Sequence, residues 1–195
     1  MTLVNTRPGR QDDRRTQKTK KFLAEALREL ILEKGYDALT IQDIIDRANV
    51  GRSTFYAHYE SKEQLLVGNI RFQQELVNPP AGSDTYPMGI NLSWLFHHTH
   101  EQLSLVRALG GTRGGVLVVE HFTELCKAKI LEHHQSKMPR AKTAQKLFAY
   151  KADAAAGAIV RMLFKWLEAG ALIPPDEMVA YATRVLLAVM AVEPA

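Results

Sequence analysis

The sequence predicts an all-α fold of about nine helices, and three observations carry that expectation. Apolar residues recur at three-to-four spacing through most of the chain, as in Phe22, Leu23, Ala26, Leu27, Leu30 and Ile31. No segment alternates with period two over a useful length, so a sheet is not expected. Glycine and proline punctuate the periodic segments at Gly35, Pro79-Pro80, Pro139, Gly170 and Pro174-Pro175. With 195 residues the chain is long enough to bury a real core.

The first helix is expected from about Asp12 or Arg15 to Lys34, closed by Gly35. Thr40 then stands before an apolar-periodic run, with Asp43 three residues on. That is a capping arrangement: a hydroxyl satisfies orphan amides and a carboxylate faces the positive helix end. The short helix it opens places Ile41, Ile44, Ile45 and Ala48 on one face. Asn49-Val50-Gly51 breaks the pattern, and a second short helix follows at about Arg52 to His58. Two short helices on a three-to-four-residue turn form a helix-turn-helix, whose second helix can enter a DNA major groove.

Phe55 and Tyr59, spaced i, i+4, are the apolar anchors of that second helix, leaving Arg52, Ser53, Thr54, Tyr56 and His58 to face outward. Arginine can fork onto guanine, small hydroxyls suit base or phosphate, and tyrosine and histidine can reach backbone oxygens. Ser61-x-x-Gln64 caps the next helix, with Lys62 in its first turn, a place the helix dipole favours only when an anion lies near. A net charge of +4 is mild, but Arg7, Arg10, Arg14, Arg15, Lys18, Lys20 and Lys21 crowd the first stretch. Such a basic arm suits phosphate neutralisation or minor-groove insertion.

This segment resembles the DNA-binding domain of the tetracycline-repressor (TetR) family of bacterial regulators. The resemblance rests on Leu39-Thr40, Val50, Thr54-Phe55-Tyr56, His58-Tyr59 and Ser61-Lys62-Glu63, and covers about Arg15 to Leu66, a third of the chain. It departs at the turn, where Ala48-Asn49-Val50-Gly51 replaces the more usual Ala-Gly-Val-Ser, so Gly51 supplies no hydroxyl cap. The resemblance implies a DNA-binding domain over residues 1–62 and an effector-binding and dimerisation domain over 63–195. It implies that Gln42 reaches a base from helix two and that Arg52, Ser53 and Tyr56 face bases. It implies phosphate-facing positions for Thr40, Thr54, His58 and Lys62. A homodimer on a palindromic operator, released by a small-molecule effector, is the function it implies.

Helix four is expected over about Lys62 to Glu75, with Leu65, Leu66, Ile70 and Leu76 on one side, and Asn78 to Asp84 reads as a linker. Beyond it, helices are expected over about Ile90 to Leu109, Arg113 to Ser136 and Lys142 to Ala169. A last helix begins at Pro174-Pro175-Asp176. Ala154 to Ala158 form a small-residue surface that, with Trp166, Val185 and Val189 nearby, suits self-association of the last two helices.

No enzyme is expected. Gly110 to Gly115 lacks the Lys-Ser/Thr and preceding strand of a phosphate-binding loop, and reads as a flexible joint. His97, His98, His100 and Glu101 match no metal-binding spacing, and no cofactor is expected. Trp94, Phe96, His98, Phe122, Cys126 and Phe164 combine aromatic bulk with polar handles, and the resemblance implies that they line an effector pocket. The competing readings are a metal-dependent sensor using His98 and its neighbours, and a DNA-binding scaffold answering a partner protein. A single cysteine suits a reducing cytoplasm, and the stretch from Asn5 is too polar for a signal peptide. No apolar run approaches the ~20 residues that span a bilayer.

Overall fold

Leu23, Ala26, Leu27, Leu30 and Ile31 lie on one side of the first helix, and burying that stripe organises everything N-terminal. The computed structural model describes residues 10–68 and 86–192. Helix α1 spans Arg10–Lys34 and ends where Gly35 takes a φ of 77°, a conformation glycine adopts without penalty. Phe22 departs from the expected stripe. It is 42% exposed beneath the Lys18 ammonium, because one residue's rotation from Leu23 carries it off the buried face.

Helix α2 (Ile41–Ala48) carries the expected capping box. The Asp43 amide donates to Thr40 Oγ1 at 3.2 Å, and the Thr40 amide donates to Asp43 Oδ2 at 2.8 Å. Helices α3 (Arg52–Tyr56) and α4 (Lys62–Val67) complete the N-terminal bundle, α4 capped by Ser61 through the Gln64 amide. Tyr36, Ile44, Ile45, Phe55, Tyr59 and Leu65 share the core of α1, and Leu109 joins them from the C-terminal half. The remainder of the expected helix four and the 78–84 linker lie outside the described residues.

Five more helices follow: α5 (Leu92–Glu101), α6 (Leu103–Leu109), α7 (Arg113–His133), α8 (Lys142–Glu168) and α9 (Pro175–Ala191). The described residues thus hold nine α-helices, with short 3-10 turns at Pro87–Gly89 and Gln135–Lys137. The single helix expected from Ile90 to Leu109 is two. The Thr99 hydroxyl donates to the Leu95 and Phe96 carbonyls, and the Gln102 amide is shared between His98 and Thr99. That loosened turn lets α6 leave the line of α5 and pack against both α1 and α8. Helix α8 is the axis of this half, lying against α7 on one side and α9 on another. Among the described residues no helix is long and apolar enough to cross a membrane.

Two expectations need correction here. Ala155 and Ala156 are fully buried, so that part of the Ala154 to Ala158 surface of α8 closes the protomer's own core. Trp166 is also buried, and its indole N–H donates to the Ile173 carbonyl at 2.9 Å, which removes it from any surface offered to a second copy. Ala154 is exposed, whereas Ala158, Val185 and Val189 are half-buried.

The Gly110 to Gly115 joint is packed rather than loose. Thr112 caps α7 through the Gly115 amide, and Gly114 sits against the Tyr36 ring. A Cβ on Gly114 would lie 2.6 Å from two Tyr36 ring atoms and 3.1 Å from Leu109. Replacing a helical glycine by alanine gains up to ~1 kcal/mol of helix propensity, but overpacking a core costs roughly 1–3 kcal/mol. The clash should win, because the Tyr36 ring is itself fully buried. Gly114→Ala is expected to lower stability by about 1–2 kcal/mol in urea unfolding; an unchanged or raised midpoint would show that the joint has slack.

Candidate nucleic-acid interface

The turn between α2 and α3 is built from its residue types. Asn49 takes φ 51°, ψ 49°, a left-handed conformation that asparagine tolerates better than most residues. Val50 is half-buried and its amide donates to the Ile45 carbonyl at 3.0 Å, pinning the turn to the core. Gly51 occupies the cap of α3 and makes no side-chain hydrogen bond, as its lack of a side chain dictates. Helix α3 stops at Tyr56, two residues short of the expected end. The His58 and Tyr59 amides both converge on the Phe55 carbonyl in a closing turn.

Phe55 is fully buried and Tyr59 nearly so, their ring centroids 6.0 Å apart. Anchoring that side turns Arg52, Ser53 and Tyr56 outward, with Tyr56 49% exposed. Thr54 and His58 are half-buried at the edges of this face. Gln42 is exposed on α2 beside them, and its side-chain carbonyl accepts a hydrogen bond from Arg52 Nη2 at 2.9 Å. The Gln42 amide nitrogen donates to Asp46 Oδ1 at 2.7 Å. Thr40 is exposed, with its hydroxyl engaged by Asp43 at 2.6 Å. Along α1, Arg14, Arg15, Lys18 and Lys21 are exposed and Lys20 is half-buried, whereas Arg7 lies outside the described residues.

Lys62 departs from its expected orientation. Its ammonium donates to the Leu39 carbonyl at 2.7 Å and the Tyr36 carbonyl at 3.1 Å, and lies 4.5 Å from the centre of the Tyr36 ring. The anion-like partner that a lysine in a first helical turn requires is supplied by two loop carbonyls and an aromatic face.

Residues 23–68 match the family model described as bacterial regulatory proteins, tetR family. An uncharacterised HTH-type transcriptional regulator of Bacillus subtilis (strain 168), YxbF, is 43% identical over 58 residues. That match takes in 29% of this chain, and the chain spans only 15% of the regulator's length. A solved TetR transcriptional regulator from Streptococcus agalactiae superposes with a TM-score of 0.58 at 25% identity, covering 90% of this chain and 97% of that one. Residues 23–68 thus carry the tetR-family domain, and the chain as a whole has the fold of a solved TetR regulator. Its fold is shared by the Thermus thermophilus TetR-family repressor FadR, solved in complex with lauroyl-CoA (TM-score 0.55, 17% identity, 90% of this chain and 97% of that one).

A cavity of about 640 Å³ lies between the N-terminal bundle and the C-terminal helices. Four of the six residues expected to form a pocket line it: Trp94, His98, Phe122 and Phe164. The Trp94 and His98 rings stack at 4.5 Å with 10° between planes, and Phe122 meets Phe164 edge to face. Phe96 and Cys126 do not line the cavity. Phe96 is buried against Trp166, and burial pushes the Cys126 thiol up to about 12. Aromatic content alone did not reveal the opposite wall, which comes from Leu27, Arg28 and Ile31 on α1 and from Leu65 and Leu66 on α4. His97 turns away to Asp176 at 2.8 Å, and among the described residues no group of three or more His, Cys, Asp or Glu is placed to hold a metal ion.

Sequence reasoning missed the clamps that hold α2 on α1. Arg47 reaches Glu33 at 2.6 Å and Glu29 at 3.1 Å; the Glu33 carboxylate raises the guanidinium's pKa, and the Arg47 hydrogen bond lowers that of Glu33. Lys34 pairs with Asp43 at 2.8 Å, and with the Thr40 bonds it holds the Asp43 carboxyl far below the ordinary carboxylate range. A carboxyl depressed by folding stabilises fully above its unfolded pKa, about 4, and loses that contribution as pH falls toward the folded value. Stability should therefore fall on acidification below about pH 4 less steeply in Asp43→Asn than in the wild type, as followed by thermal melts across pH. Parallel curves for the two would contradict the clamp. Lys62→Ala is expected to lose roughly 1–3 kcal/mol in urea unfolding; wild-type stability would restore the outward assignment.

Proposed function

We propose that this chain is a sequence-specific DNA-binding regulator that acts as a homodimer on a palindromic operator and is released by a small-molecule effector, most simply as a repressor. The observation that carries the reading is the outward face of α2 and α3. Phe55 and Tyr59 anchor one side of α3, so Arg52, Ser53 and Tyr56 stand beside Gln42 on a single exposed surface. In this reading those four meet base edges, while Thr40, Thr54 and His58 meet phosphates. Lys62 supports the surface from within by tying α4 to the loop after α1.

Residues 1–62 form the reading head and 63–195 the regulatory body. One short recognition helix reads few base pairs, so two heads are needed at a spacing of about 34–36 Å or a multiple of it. An exposed apolar row supports pairing of two copies: Leu147, Tyr150 and Ala154 on α8, with Tyr181, Leu187 and Ala188 on α9. Val185 and Val189 would lie at its margin. In this reading two copies pair across that row about a twofold axis, as closed dimers do.

The cavity supports the effector. Its walls come from both the head (Leu27, Arg28, Ile31) and the body (Leu65, Trp94, Phe122, Phe164), so a molecule that fills it acts on the tilt between them. An effector that binds better to the released arrangement must lower operator affinity by linkage. Its apolar walls and polar edges, His98 and Arg28, suit an amphipathic organic molecule.

Selection of duplexes from a randomised pool by the full chain tests the reading. The expected product is an inverted repeat, bound with an affinity that falls steeply with salt. Tyr56→Ala should weaken binding to that duplex about tenfold with an unchanged melting temperature. A chain that enriches no sequence and sediments as a monomer would contradict the proposal.

A further inference from the structure

The chain of hydrogen bonds Arg52 to Gln42 to Asp46 carries a consequence for which base pair the protein accepts. An exposed glutamine amide rotates easily, and each half-turn exchanges its donor and acceptor, so Gln42 alone could satisfy several bases. Here both ends are held. The amide nitrogen faces Asp46 Oδ1 at 2.7 Å, and the amide oxygen faces Arg52 Nη2 at 2.9 Å. A carboxylate only accepts and a guanidinium only donates. Rotating the amide would set donor against donor at Arg52 and acceptor against acceptor at Asp46, so one orientation is selected.

We infer that Asp46 is a specificity-determining positioning residue: through Gln42 it fixes the orientation in which Arg52 meets a base. Arg52 gives one nitrogen to Gln42 and keeps the rest of its fork for the two acceptors of guanine. Asp46 stands one helical turn beyond Gln42, and its neighbour Arg47 is directed to Glu29 and Glu33, so the Asp46 carboxylate is not drawn into that ion pair. Asp46 itself carries a charge that repels phosphate. Its removal is therefore expected to raise general affinity while lowering discrimination, the opposite of what the loss of a phosphate contact does.

This inference rests on the DNA-reading proposal, and the experiment separates the two. Duplexes selected by the wild-type full chain are compared with their single-base-pair variants at fixed salt, for wild type, Asp46→Ala, Asp46→Asn and Arg52→Ala, with melting temperatures as folding controls. Wild type should discriminate at the Arg52 base pair by about 10-fold to 100-fold. Asp46→Ala should flatten that preference to within roughly threefold while binding the variants at least as tightly as wild type. Asp46→Asn keeps an acceptor for Gln42 and should retain the preference. Wild-type discrimination in Asp46→Ala, or equal loss in Asp46→Asn, would overturn the positioning role while leaving the DNA-reading proposal standing. Selection of no sequence by the wild type would overturn that proposal, and this inference with it.

Discussion

The fold depends on one buried ring. Tyr36 follows the glycine that ends α1, has no exposed surface, and lies between the Lys62 ammonium and the bare backbone of Gly114. Burial first, and the Glu63 carboxylate second, push its phenol above the ordinary range; no hydrogen bond of ordinary geometry joins Tyr36 to Glu63. The ring is thus held by shape and by the cation above it. Beside it, the Arg113 amide at the start of α7 donates to Asp37 at 3.2 Å. A single loop therefore joins the beginning of α2, the beginning of α4 and the beginning of α7.

That junction gives the molecule a mechanical logic. The face formed by α2 and α3 is oriented by the α1 core and by the Arg47 and Lys34 ion pairs, and its connection to the C-terminal helices runs through Tyr36, Leu109 and the cavity wall. In the proposed regulation, a cavity flanked by both halves and next to the Gly114–Tyr36 contact would convert a local change of volume into a change of tilt. Close-packed cores transmit strain because they cannot absorb it.

What was legible in the sequence was local. The Thr40–Asp43 box, the glycine stop at Gly35, the missing cap at Gly51 and the Phe55–Tyr59 anchors each follow from spacing within a turn or two, and all stand in the structure. What was not legible required a partner far along the chain. Lys62 finds its acceptors 23 and 26 residues away, and Gly114 is a glycine because of Tyr36. Trp166 reads as a surface aromatic until the Ile173 carbonyl is seen beside its indole. The break at Gln102 has no proline or glycine to announce it. At the reading face, the Gln42–Asp46 pair is an ordinary i, i+4 contact, but the link to Arg52 exists only because the Asn49 turn folds α3 back toward α2.

The central claim is that the outward face of α2 and α3 lies in the major groove of duplex DNA. Methylation protection at guanine N7, an atom exposed only in that groove, tests it most directly. With the full chain bound to a selected duplex, protected guanines should fall in two patches about one helical turn, 10–10.5 base pairs, apart or a multiple of that. A bound duplex whose guanine N7 atoms remain open throughout would contradict the account.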